Sequence, residues 1–66
     1  MKPLYPKVKV RLTGIDGNAF MILGVAQRAA KEAGLKKEIT DKYREEATSG
    51  DYDHLLQTTM KYFDVR

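Results

Sequence analysis

The sequence has no cysteine and no tryptophan, a single serine, a single histidine and two prolines among its 66 residues. Each scarcity excludes something. Without thiols there is no disulfide framework and no zinc–thiolate site. With one histidine, no metal centre can be built on paired imidazoles, and no metal or cofactor is expected. Ser49 and His54 are the only residues from which a serine nucleophile and an imidazole base can be drawn. The longest unbroken apolar run is Ala19–Leu23, against ~20 residues for a membrane-spanning helix. Met1-Lys2 leads into Pro3 and Pro6 rather than an apolar stretch, so no secretory leader and no membrane partner are expected, and the cytoplasm is the expected compartment.

A chain this short forms one domain, 1–66, and buries only roughly 60% of the surface that its unfolded form exposes. Such a fold rests on its apolar core alone or shares that core with a second copy. The charge is modest overall, at +3, but unevenly placed. Residues 1–37 carry eight basic side chains and two acidic ones, a balance of +6, whereas residues 38–66 carry four and seven, a balance of −3. A chain polarised in this way attracts an anionic partner at one end or pairs with itself head to tail. A solvated, soluble surface accounts for the same pattern.

Residues 1–6 read as an extended lead-in, because Pro3 and Pro6 remove backbone donors. Residues 7–13 alternate with period two, placing Val8, Val10 and Leu12 on one face and Lys7, Lys9 and Arg11 on the other, which predicts a half-buried strand. Gly14–Asn18 is a turn. Over 19–33, Ala19, Ile22, Leu23, Val25, Ala26, Ala29, Ala30 and Ala33 fall within an apolar arc of roughly 160°, which predicts an amphipathic helix. Asn18 is its expected N-cap, with Asp16 as the alternative, and Gly34 its left-handed terminator. A second, more polar helix over 36–48 carries the stripe Leu35, Ile39, Tyr43 and Ala47. Its start is poorly marked, since no capping residue precedes Lys36. After Thr48-Ser49-Gly50, Asp51 caps a third helix with Tyr52, Leu55, Leu56, Thr59, Met60 and Phe63 at helical spacing.

The strand over 7–13 needs a backbone partner. Either the tail Tyr62–Arg66 runs extended beside it, or a second chain adds to its edge. The expected fold is therefore α+β: an N-terminal strand, three helices and a short C-terminal strand pairing with the first. The expected core is Val8, Val10, Leu12, Phe20, Ile22, Leu23, Ala26, Ala29, Ala30, Ile39, Tyr43, Leu55, Leu56, Met60 and Phe63. On this register Leu56→Ala costs about 2–5 kcal/mol.

Four constellations bear on chemistry. The Gly14–Asn18 loop joins a strand to a helix, a place where free N–H groups bind phosphate. It has neither a Gly-x-Gly-x-x-Gly pattern nor a Walker lysine, and a tight turn with a cap explains it equally. Asp51, Asp53 and His54 cluster at the start of the third helix, where they form a small cation or catalytic site or serve as cap and dipole partners. Lys7, Lys9 and Arg11, with Arg28 and Lys31 of the first helix, form a candidate nucleic-acid surface. A lysine-bearing strand face also discourages aggregation. Ser49 and His54 lie five residues apart with no third group to orient the base, so no catalytic residue is assigned.

Two stretches, Val10-Arg11-Leu12-Thr13-Gly14-Ile15-Asp16-Gly17-Asn18-Ala19-Phe20 and Glu46-Ala47-Thr48-Ser49-Gly50-Asp51-Tyr52-Asp53-His54-Leu55-Leu56, resemble a group of small bacterial and phage-associated proteins of uncharacterised function. The likeness extends over about residues 8–65, ending on Asp64-Val65. It implies a short, stand-alone protein of bacterial or phage type and carries no activity, substrate or cofactor with it.

Three functions follow as expectations. The first is a non-enzymatic protein-interaction module that self-associates, with a homodimer through the strand edge or an unidentified protein partner. The second is nucleic-acid binding through the basic strand and helix face. The third is a small cation-binding or catalytic site at Asp51, Asp53 and His54.

Overall fold

The computed structural model describes residues 2–12 and 17–66. Its elements run β1 (Tyr5–Val10), α1 (Ala19–Glu32), α2 (Lys37–Ala47), α3 (Tyr52–Tyr62) and β2 (Phe63–Val65). The α+β expectation is met, and the C-terminal tail supplies the strand partner. β1 and β2 form a two-stranded parallel sheet, so the chain's two ends lie side by side and the three helices make the crossover.

Tyr5 pairs with Phe63, Lys9 with Asp64 and Val10 with Val65, with an irregularity between Tyr5 and Lys9. Pro6 lies inside that irregularity and has no N–H for the ladder. Its carbonyl is taken instead by the Lys9 Nζ at 2.9 Å. Backbone bonds continue past both ends of the ladder. Leu4 N–H donates to Lys61 O, Leu12 N–H to Arg66 O and Arg66 N–H to Val10 O. The strand thus begins two residues before the alternation, taking in Tyr5 and Pro6 from the lead-in, and stops at Val10. Thr13 lies outside the described residues.

Three helix boundaries have a clear local cause. Asn18 caps α1, its Oδ1 accepting the Met21 N–H at 2.8 Å. At the other end Gly34 adopts φ +88°. Its N–H bonds Lys31 O while that of Leu35 bonds Ala30 O, the paired closure that a glycine beyond a helix end permits. α2 begins after Lys36, which makes no side-chain cap bond, as its sequence implies. Asp51 caps α3 by accepting the His54 N–H at 2.9 Å.

The core consists of Val8 and Val10 of β1, Ile22, Leu23, Ala26 and Ala30 of α1, Tyr43 and Ala47 of α2, Leu55 and Tyr62 of α3, and Phe63 of β2. Fully burying one of the larger apolar side chains contributes about 1.5–3 kcal/mol. Aromatic rings dominate the centre. Tyr43 lies 4.9 Å from Phe63 and 5.5 Å from Tyr62 between ring centroids, and Tyr5 stacks on Tyr62 at 6.2 Å.

Two residues of the expected core are exposed: Phe20 at 86% and Met60 at 54%. Phe20 precedes the buried face of α1 by about a quarter turn, so its side chain leaves the core. In α3 the buried face runs through Leu55, Thr58, Thr59 and Tyr62 and turns away from Met60. Phe63 belongs to β2 rather than to the helix, which frees it from the helical register that had tied it to Leu56 and Met60. Tyr52, at the head of the expected stripe, is likewise exposed. Leu12, Ala29, Ile39 and Leu56 are half-buried rather than buried. The full truncation cost expected at Leu56 therefore moves to Leu55.

Candidate functional site

The basic strand face is present but not uniform. Lys7, Lys9 and Arg11 are all exposed, opposite buried Val8 and Val10. Lys9 is engaged: its Nζ lies 2.9 Å from Asp64 Oδ2, across the Lys9–Asp64 pairing of the sheet. Arg66 approaches the same carboxylate at 3.4 Å. The Lys9 hydrogen bond, reinforced by Arg66, holds the Asp64 carboxyl below the usual carboxylate range. Lys7 and Arg11 make no ion pair among the described residues. Arg28 and Lys31 occupy a different place. They line a groove between α1 and α2 with Leu35, Lys37 and Asp41, to which β1 contributes no residue. Arg28 Nε is paired with Glu32 Oε1 at 3.1 Å. Asp16, with Gly14 of the proposed phosphate loop, lies outside the described residues, and Asn18 is the α1 cap.

The acidic cluster is committed to local structure. Asp51 caps α3, and Asp53 Oδ2 accepts from Gln57 Nε2 at 2.9 Å. No group of three or more histidine, aspartate or glutamate side chains converges on a metal-sized site among the described residues.

The His54 side chain reaches three polar groups. Its Nε2 lies 2.9 Å from Glu46 O, 3.2 Å from Ser49 Oγ and 3.4 Å from Thr58 Oγ1. A carbonyl oxygen only accepts, so Nε2 carries a hydrogen directed at Glu46 O. Ser49 Oγ in turn donates to the same carbonyl at 2.7 Å. With that hydrogen directed at Glu46 O, Nε2 offers no lone pair to the Ser49 hydroxyl, and the two side chains close the C-terminal end of α2. Gly50 makes this approach feasible. A Cβ there would stand 2.8–2.9 Å from the His54 ring and Cβ.

Beside this, Glu46 Oε2 pairs with Lys61 Nζ at 2.9 Å. The Lys61 hydrogen bond lowers the Glu46 carboxyl, and the same bond raises the Lys61 ammonium. The pair ties the end of α2 to the end of α3 and engages both of its charged groups.

The feature that composition and periodicity did not disclose is the outer row of α1. Phe20 is 86% exposed and Met21 43%. One turn after Phe20 comes Gly24, which is exposed and has nothing within 4 Å of the position a Cβ would take. Glycine inside a helix costs about 1 kcal/mol relative to alanine. Nothing packed among the described residues uses the missing side chain. One turn further lies Arg28. Tyr52, also exposed, stands nearby, with its hydroxyl donating to the Gly17 carbonyl. The signal available in sequence was Gly24 itself, an isolated glycine in the middle of an alanine-rich helix.

No helix among the described residues is long and apolar enough to cross a membrane. No family model matches the chain, and neither a curated protein nor a solved structure matches it.

Proposed function

We propose that this chain is a non-enzymatic protein-interaction module that pairs with a second copy of itself. The observation that carries the reading is Phe20, a large aromatic side chain 86% exposed on a helix whose opposite face is packed. Exposed aromatic anchors are the groups that contribute most at interfaces. The non-enzymatic part is supported by the commitments just described: the one histidine donates to a backbone carbonyl, and the clustered carboxylates cap helices or bind lysine and glutamine. The free edges of the two-stranded sheet offer another route to self-pairing, because each strand has its partner on one side only among the described residues. A different protein seated on the same surfaces is the alternative occupant. A cytoplasmic location belongs to the same proposal, and a Cys-free chain is compatible with it. The resemblance to small bacterial and phage-associated proteins fits a module of this size. Sedimentation over a concentration series tests the reading. It predicts a mass rising from 7.5 kDa toward twice that value, and a constant monomer mass contradicts it.

Nucleic-acid binding is the second reading, favoured by the cations Lys7 and Arg11 on one strand face, which make no ion pair among the described residues. It predicts a mobility shift of DNA at low salt that weakens steeply as salt is added. No shift at low salt ends it.

A further inference from the structure

We infer that the second copy docks on the outer row of α1, in an antiparallel crossing centred on Gly24. The inference rests on the self-association proposed above and names its seat.

The row Phe20, Gly24, Arg28 follows the i, i+4, i+8 ridge of the helix, the ridge along which helices most often pack. Its chemistry is complementary to itself. An aromatic ring lies one turn before the glycine and a guanidinium one turn after it, each displaced by ~6 Å along the axis. A two-fold axis through Gly24 sets residue 20 of one copy against residue 28 of the other. Each Phe20 ring then receives the partner's Arg28, a cation–π contact made twice. A parallel crossing would instead set the two guanidiniums side by side. The bond from Arg28 Nε to Glu32 Oε1 anchors the guanidinium while its flat face remains available for the ring.

Gly24 supplies the geometry. The open space over its Cβ position is a notch at the crossing point, where two backbones approach closely only if no side chain intervenes. Met21 flanks the ring and adds an adaptable apolar contact. The helix is 14 residues long, so a single crossing buries an area at the low end of stable interfaces.

The test compares the parent chain with Gly24→Gln and Phe20→Ser by sedimentation velocity over a dilution series. Glutamine is the better helix former, so Gly24→Gln keeps or raises the melting temperature of the dilute protein while filling the notch. Phe20→Ser alters an exposed position and leaves the core intact. Both variants are expected to weaken self-association by about tenfold or more without a lower melting temperature. Self-association unchanged in both overturns the α1 seat and assigns the contact to the strand edge, leaving the module reading in place. A parent chain that stays monomeric throughout overturns both.

Discussion

Tyr43 and Thr59 meet in the core with their hydroxyl oxygens 2.7 Å apart. Thr59 spends its only hydrogen on Leu55 O, at 2.8 Å, so Tyr43 is the donor and Thr59 the acceptor. This bond joins α2 to α3 where both side chains are essentially inaccessible. Its direction makes the two partners unequal. Tyr43→Phe removes a donor and leaves Thr59 bonded to Leu55, which costs about 0.5–1.5 kcal/mol. Thr59→Val strands a buried phenol hydroxyl and costs about 1–3 kcal/mol. The double variant removes both groups and is expected to be less destabilised than the sum of the two. Urea denaturation of the three variants measures the cycle, and strict additivity contradicts the bond.

Two glycines respond oppositely to alanine. Gly50→Ala forces a Cβ against the root of the His54 side chain. It displaces the ring from the end of α2 and costs about 1–3 kcal/mol. Gly24→Ala meets open space and gains up to about 1 kcal/mol from helix propensity. Thermal melts of dilute samples check the sign at each position. A Gly50→Ala protein as stable as the parent contradicts the placement of His54.

Leu55→Ala is expected to cost about 2–5 kcal/mol, the range for truncating a buried leucine, and Leu56→Ala distinctly less. Leu55 is 3% exposed, while Leu56 packs at the margin of the core. Denaturation midpoints of the two variants decide the register of α3. Equal losses contradict it.

Stability is expected to fall on both sides of neutrality, for different reasons. Asp64 and Glu46 are lowered by hydrogen bonds from Lys9 and Lys61. Their contribution is present above the ordinary carboxylate range, about pH 4, and is lost as pH falls through the depressed folded values. Tyr43 and Tyr62 are raised, chiefly by burial. The unfolded chain ionises first, so their contribution is present below about pH 10 and is lost as pH rises through the folded values. Melting temperature against pH measures both limbs. The double variant Asp64→Asn, Glu46→Gln is expected to flatten the acid limb, and an unchanged acid limb contradicts the assignment.

Much of this fold was legible in the sequence because its signals were local. Asn18, Gly34 and Asp51 mark helix ends by chemistry that operates within one turn, and the structure uses all three. The alternation at Val8 and Val10 marks a strand whichever partner it finds. What was not legible depended on tertiary choices. Phe63 looks like the last member of a helical stripe until the chain turns extended there to pair with Tyr5, and that turn releases Met60 from the core. Thr59 lies on the expected stripe, whereas Thr58 looks polar and becomes a core residue because the His54 carbonyl accepts its hydroxyl. The candidate site was legible only in fragments. Arg28 stands out in the sequence by its charge, whereas Phe20 reads as a core residue, and the open notch at Gly24 emerges only when the space around the helix is known.

The most direct test of the central claim is an amide chemical-shift series recorded while the protein is diluted. The self-associating module docked through α1 predicts concentration-dependent shifts concentrated at the amides of Phe20, Met21, Gly24 and Arg28, with β1 and β2 unmoved. Shifts confined to the strands, or spectra identical at every concentration, contradict it.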